Sequence, residues 1–403
     1  MSDMVFSGVT FSGGYSITLP PPSYLAYAIF GYGGTSGSKL STTNLVSNTG
    51  VVATDTAGIG TARNSLAAAG YSTDKAIFGY GDTGPTSLSI TNLVSNTGVA
   101  ANDTAGVGTA RYSLAAAGYS TDKAIFGYGY GTGYTAITNL VSNTGVVAND
   151  TAGVGTARVN LAGAGYGTDK AIFGYGQNSS GNPVSMTNLV SNTGVVATDT
   201  AGVGTTRSNI AAAGYGTDKA IFAFGLIGEY PYVVNITNLV SNTGVVVSES
   251  SGTGTARSGP CAATYGTDKA IIGFGLSLDT IILNRVSNTG AVSSDTTGTG
   301  TGRGQLAATG YGNDKAMFAF GITSSAPVSI INLVSNTGVF ATDTATVATA
   351  KFNHAAAVYG TDKAVISYGS AYTTNLVSNT GVVASNTSGV GTSRAFLAAA
   401  SYG

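Results

Sequence analysis

Apolar and polar positions in this chain fall into short runs, and the runs recur. Residues 111–157, "RYSLAAAGYSTDKAIFGYGYGTGYTAITNLVSNTGVVANDTAGVGTA", make one complete unit. "KAIFGYG" alternates with the period of two expected of a half-buried strand. "SLAAAGYS" is short and small-sided, suited to a crowded position near a central axis. "ITNLVS" reads as a third strand and "VVANDT" as a fourth. "STD" and "SNTG" are the turns between them, with Gly145 taking positive φ and Asn143 tolerant of the same region. No stretch carries helical periodicity. The pattern predicts four short antiparallel strands per unit, closed by "AGVGTA".

The asparagine of "SNTG" recurs at Asn48, Asn96, Asn143, Asn192, Asn242, Asn288, Asn336 and Asn379, spaced by 48, 47, 49, 50, 46, 48 and 43 residues. Such a period belongs to propeller blades or solenoid turns. The first recognisable piece, "YAIFGYG" from Tyr27, corresponds to a second strand, and the last, "AFLAAASYG" to Gly403, to a first strand. That offset favours a ring closed by exchange, with residues 395–403 as the innermost strand beside residues 28–33. A linear solenoid would instead carry atypical caps at both ends. The expected fold is all-β: an eight-bladed β-propeller of four-stranded antiparallel blades, closed by pairing of the N- and C-terminal strands. A stacked parallel solenoid is the competing architecture.

The order "RxxLAAAGYGTDKAIFGYG…TNLVSNTG", an arginine, a small-residue strand, a glycine-ending strand and a turn, resembles the Kelch-type repeat. The resemblance covers residues 24–403. It implies a propeller fold. Gly-Tyr-Gly or Gly-Phe-Gly stands where that family has Gly-Gly, and the chain has no Trp, so no specific Kelch partner or activity carries over.

Composition narrows the function. Charged residues make up 9% of the chain and the net charge is −1, which is not the electrostatic footprint of a nucleic-acid binder. Apolar runs stay far below the roughly 18–20 residues of a membrane span, and no charged segment followed by an apolar one marks a secretory signal. The single cysteine excludes an intramolecular disulfide framework. Sixty glycines with abundant Thr, Ser and Asn suit an extracellular or virion β protein.

Nearly all the charge is repeated. Arg63, Arg111, Arg158, Arg207, Arg257, Arg303, Lys351 and Arg394 precede strand one in successive units. In a ring they would circle one mouth as an anion site, or each would bond loop carbonyls and the acid of "TDT": Asp55, Asp103, Asp150, Asp199, Glu249, Asp295 and Asp343, with Asn386 the exception. The second, structural reading is preferred. Asp74-Lys75 and its counterparts occupy the strand one–two turn, where Asp bonds nearby backbone. Few charges remain for a unique active site, so no enzyme activity and no cofactor is expected. His354 lies in a column otherwise filled by Leu66, Leu114, Leu161, Ile210, Pro260, Leu306 and Leu397, and Cys261 in a column of Ala; both read as core residues. No Cys/His cluster has zinc spacing.

Residues 1–23 lie outside the repeat and read as an N-terminal arm or attachment segment, with Pro20, Pro21 and Pro22 a stiff spacer. Their short Gly/Thr strands and prolines resemble the starts of some bacteriophage virion proteins. The strand two–three loops differ from unit to unit on an otherwise constant frame, which is where loops acquire specificity. The expected binding residues are Glu229, Tyr230, Pro231 and Tyr232, followed by Tyr130 and Tyr134. The function expected is a non-enzymatic binding or structural propeller of a phage tail or capsid appendage, located on the virion. Its partners would be virion proteins or a host surface receptor, protein or glycan, with room for a homo-oligomer in an assembly. The alternative is a secreted or cell-surface bacterial adhesin or scaffold.

Overall fold

A computed structural model describes residues 27–402 apart from 36, 57–59, 201, 203, 229–231, 250–253, 276–280, 299, 347, 388–390 and 396. The arm at residues 1–23 lies outside the described residues, as do Glu229, Tyr230 and Pro231.

The described chain is all-β, without a helix, and builds antiparallel sheets of a propeller-like kind. Each main sheet has an inner, a middle and a third strand, and sheets six and seven add a two-residue fourth. Sheet two is Ala67–Tyr71, Lys75–Gly79 and Thr91–Val94; sheet three is Ala115–Tyr119, Lys123–Gly127 and Thr138–Val141. Sheet four is Ala162–Tyr166, Lys170–Gly174 and Thr187–Val190; sheet five is Ala211–Tyr215, Lys219–Leu226 and Val233–Val240. Sheet six is Cys261–Tyr265, Lys269–Gly273 and Ile282–Val286, and sheet seven Ala307–Tyr311, Lys315–Ala319 and Ile330–Val334. Sheet eight is Ala355–Tyr359, Lys363–Ser367 and Thr374–Val377. Sheet one joins distant parts of the chain: Tyr27–Gly31 pairs Thr43–Val46 on one side and Ala398–Tyr402 on the other.

The middle strand departs from the half-buried expectation. In "KAIFG" the lysine is half-buried and every following residue is buried. The cause is packing on both faces. Ile77 shares a cluster with Phe126 of sheet three, while Phe78 shares one with Ile29 and Tyr32 of sheet one. Among the described residues, hydrophobic clusters of this kind join each sheet to the next, and one joins sheet eight to sheet one through Val365, Tyr368, Ala28 and Phe30. Burying each such aliphatic or aromatic side chain contributes about 1.5–3 kcal/mol.

Glycine sets how closely the sheets approach. A Cβ on Gly79 would lie 2.8 Å from Phe126 Cζ, and one on Gly31 would lie 2.8 Å from Phe78 Cζ.

The fourth strand is the second departure. Among the described residues, regular ladder forms only at Thr296–Thr297 and Thr344–Ala345. Elsewhere it reduces to isolated bridges, such as Val141↔Val147 and Thr138↔Thr151, so the outer segment carries one residue more than its partner between the two bridges. That is a bulge. An asparagine side chain fills it: Asn139 Nδ2 donates to Ala148 O at 3.1 Å and to Asp150 Oδ1 at 3.0 Å.

The "SNTG" turn is a hairpin as expected, but only its glycine is left-handed, with φ 84° at Gly145. Asn143 does other work: its Nδ2 donates to Asp122 Oδ2 at 3.0 Å, tying this turn to the "TDK" turn of the same sheet. Ser142 Oγ accepts from Val146 N at 3.0 Å.

Candidate functional site

The repeated arginines do not face open solvent. All seven are 0–1% exposed, as is Lys351, enclosed between consecutive sheets. The guanidinium of Arg158 lies 4.0 Å over the ring of Tyr128 in sheet three. Its Nη2 donates to Asn188 Oδ1 in sheet four at 2.5 Å and its Nη1 to Thr156 O at 3.0 Å. Asp199 completes the network: Oδ2 accepts from Thr156 N and Oγ1 at 2.8 and 2.7 Å, while Oδ1 sits 3.8 Å from the guanidinium. Charged hydrogen bonds and a cation–π contact together offset the cost of burying this cation. Burial raises the Tyr128 phenol to about 12 and lowers Arg257 and Arg303 to about 10. The network engages Nη1 and Nη2 of Arg158 and leaves its Nε buried without a hydrogen-bond partner, closed off from any solvent anion.

One end of the sheets is constant and satisfied internally. There the last cross-strand pair is Tyr–Lys in sheet after sheet: Tyr71↔Lys75, Tyr119↔Lys123, Tyr166↔Lys170, Tyr215↔Lys219. Each lysine bonds the aspartate before it, as Lys170 Nζ does Asp169 Oδ1 at 2.6 Å. Backbone bonds link one turn to the next, Ser72 N to Asp122 O and Ser120 N to Asp169 O, both at 2.6 Å. A cavity of about 640 Å³ opens beside these turns, lined by Gly118, Thr121, Lys123, Thr168 and Lys170 among others. Its wall is backbone, small side chains, internally paired charge and the tyrosines Tyr119, Tyr166 and Tyr215.

The opposite end carries the two–three loops, and there the terminal cross-strand pair changes from sheet to sheet: Gly34↔Ala395, Asn64↔Asp82, Tyr112↔Tyr130, Val159↔Gln177, Ser208↔Leu226 and Gly304↔Ile322. On sheet three the rings of Tyr130 and Tyr134 meet at 5.3 Å, nearly perpendicular, and Tyr112 joins Tyr130 at 5.6 Å. Sequence reasoning had singled out Tyr130 and Tyr134 and missed Tyr112. The missing signal was register, since Tyr112 precedes strand one, eighteen residues from its partner Tyr130.

On sheet five the segment read as a long loop is largely strand. Lys219–Leu226 and Val233–Val240 pair with a bulge between Ala223 and Gly225. Tyr232 stands 66% exposed at the tip of this hairpin, far from the sheet-three cluster in sequence.

His354 and Cys261 are core-like, in keeping with their columns. His354 packs edge-on to Phe320, 5.6 Å between ring centres, and burial lowers its pKa to about 3, leaving a neutral imidazole. Cys261 Sγ contacts Leu306 O at 3.1 Å, and burial pushes the thiol up to about 12. Among the described residues no three His, Cys, Asp or Glu side chains gather as a metal site.

Comparison with known proteins adds little. No protein-family model and no curated protein matches the chain. Among solved structures, that of YjhT is similar at a TM-score of 0.42 and 11% identity, covering 68% of this chain and 95% of that one. Likeness at that level carries no family or function across.

Proposed function

We propose that the chain is a closed eight-bladed propeller of Kelch type that serves as a non-enzymatic binding scaffold on a virion appendage, recognising its partner with the two–three loop face. One observation carries the binding reading. Variation is greatest at one end of the sheets: the pair Tyr–Lys repeats at the turn end of sheets two to eight, with Tyr27↔Tyr402 in sheet one, while the pair at the loop end changes from sheet to sheet. Closure is supported by the ladder between Tyr27–Gly31 and Ala398–Tyr402 and by the cluster shared between sheets eight and one. The absence of enzymatic chemistry is argued from the repeat itself, since its charges are engaged in bonds between and within sheets.

The test uses the full chain, fluorescently labelled, against a panel of intact bacterial cells read by flow cytometry. Replacing residues 131–134 and 227–232 with Gly-Ser should abolish binding to whichever cells are stained and leave the melting temperature nearly unchanged. Replacing Lys123 and Lys170 with Gln at the turn end should leave staining intact. Loss of staining only in the second set would overturn the loop-face reading. Immunogold labelling then separates virions from cell surfaces.

A further inference from the structure

Several side chains that the repeat does not explain collect in one place, whereas Arg285, Tyr232 and Tyr372 stand apart on sheets six, five and eight. Lys39 and Asp82 are charges outside the repeated columns, and Tyr112, Tyr130 and Tyr134 are tyrosines outside them. All five lie at the loop ends of sheets one, two and three, and all are half-buried. Lys39 runs along sheet one toward sheet two: a Cβ on Gly34 would meet Lys39 Cδ at 3.3 Å and Asn64 Nδ2 at 3.8 Å, and Lys39 Cε lies 4.0 Å from the corresponding point on Gly84. Gly84 N in turn donates to Asp82 Oδ1 at 2.8 Å. Asp82 pairs with Asn64 across sheet two. Gly81 N donates to Arg111 O at 2.9 Å and Ser113 N to Ser65 O at 3.1 Å, so the chain beside Asp82 and Asn64 is joined to the chain on either side of Tyr112, and the carboxylate and the aromatic cluster share one neighbourhood.

We propose that the loop ends of sheets one to three form a carbohydrate-binding patch, in which the Tyr130 ring stacks on the nonpolar face of a pyranose, the tilted rings of Tyr112 and Tyr134 flank it, and Asp82, Asn64 and Lys39 bond its hydroxyls. The chemistry decides among ligands. A pyranose presents C–H groups on one face and hydroxyls at its rim, which matches aromatic rings bordered by an acceptor, an amide and a donor. One cation and one anion leave the patch without net charge, which disfavours a phosphorylated or polyanionic ligand. Three tyrosines with short polar neighbours also fall well short of the roughly 800 Å² per partner that a stable protein interface covers. The patch rests on the loop-face reading above and gives it a ligand class.

The test is saturation-transfer NMR on the full chain with the methyl glycosides of glucose, galactose, mannose and N-acetylglucosamine as probes. Saturation should reach the ring C–H protons of at least one. Tyr130→Ala and Asp82→Asn should each weaken that glycoside by about tenfold. Tyr130→Phe, which keeps the ring, should bind as the parent does, and so should Val195→Thr at the opposite end. Circular-dichroism melting of each variant checks the fold, and Tyr130→Phe and Asp82→Asn keep the question open to refutation if Tyr130→Ala does not fold. No saturation of any glycoside, or saturation that survives both Tyr112→Ala and Tyr130→Ala, overturns the patch. Cells stained through the loop face without any glycoside signal would sink the sugar assignment and leave the loop-face reading standing. Glycoside binding at the patch with cell staining unaffected by loop replacement would do the reverse.

Discussion

Lys351 stands where the other units have arginine, and its partner across the sheets is Asn386 where they have Asp or Glu. The two departures compensate each other. Lys351 Nζ reaches Asn375 Oδ1 at 2.7 Å and Thr373 O at 2.8 Å, and Asn386 Oδ1 accepts from Asn375 Nδ2 at 3.1 Å, so the network keeps its shape without a carboxylate. An arginine there could not shed its charge, whereas burial lowers Lys351 to about 7. The neighbouring His354 is neutral and offers no counter-charge. An unfolded lysine titrates near 10.4, so between about pH 7 and that value the unfolded chain holds a proton the folded one lacks, and stability rises with pH across the window. Urea unfolding at pH 7, 8 and 9 should show this rise in the parent and not in Lys351→Met, in which the remaining titrating groups are the same. Lys351→Arg alone should cost about 3 kcal/mol or more, as an uncompensated buried cation does. Adding Asn386→Asp should restore most of it. Equal stability of the single and double variants would refute the coupling.

Between elements, the contact that matters is the glycine at the end of each middle strand against the next sheet. Gly31, Gly79, Gly127, Gly174 and Gly273 face Phe78, Phe126, Phe173, Phe222 and Phe318. Ala223 and Ala319 instead share clusters with Ile272 and Ile366. In these two sheets, where the near side gains a methyl group, the far side has a smaller residue; sheet eight differs, ending its middle strand in Ser367 while sheet one keeps Phe30. Gly79→Ala should therefore destabilise by about 1–3 kcal/mol through overpacking. Phe126→Ile in the same chain should recover part of it, with a coupling of about 0.5–3 kcal/mol in a double-mutant cycle; strict additivity would count against the pairing. These pairs were open to sequence reasoning as columns that change together across neighbouring units. So were the "TDK" and "SNTG" turns and the return of residues 398–402 to the first sheet, because each is a local pattern or a matter of unit phase. Burial of the middle strand on both faces was not, since period-two alternation within "AIF" cannot tell solvent from a second sheet. Nor was the role of the asparagine in "TNLV". Its bonds reach an arginine about thirty residues earlier and an outer segment that its own side chain has bulged. Tyr112 escaped notice for the same reason, being brought to Tyr130 by register alone.

At the scale of the whole molecule, Tyr27–Gly31 is the one middle strand whose inner neighbour comes from the far end of the sequence, at Ala398–Tyr402. Removing residues 398–403 would delete several backbone hydrogen bonds worth roughly 1 kcal/mol each and leave an inner strand edge open. The truncated chain should melt markedly lower and elute as aggregate on size exclusion. A synthetic peptide with the sequence "AFLAAASYG" should raise its melting temperature in a dose-dependent way; an unchanged melting temperature after truncation would mean the strand is dispensable. The same ladder has a consequence for solutions of many molecules. Ala398–Tyr402 reads "AAASY" and the inner strand Ala67–Tyr71 reads "AAAGY", so the last strand of one molecule fits the vacancy of another as well as its own. Copies that refold together at high concentration should therefore trade terminal strands, giving a string of linked molecules whose length grows with concentration and which dilution during refolding prevents.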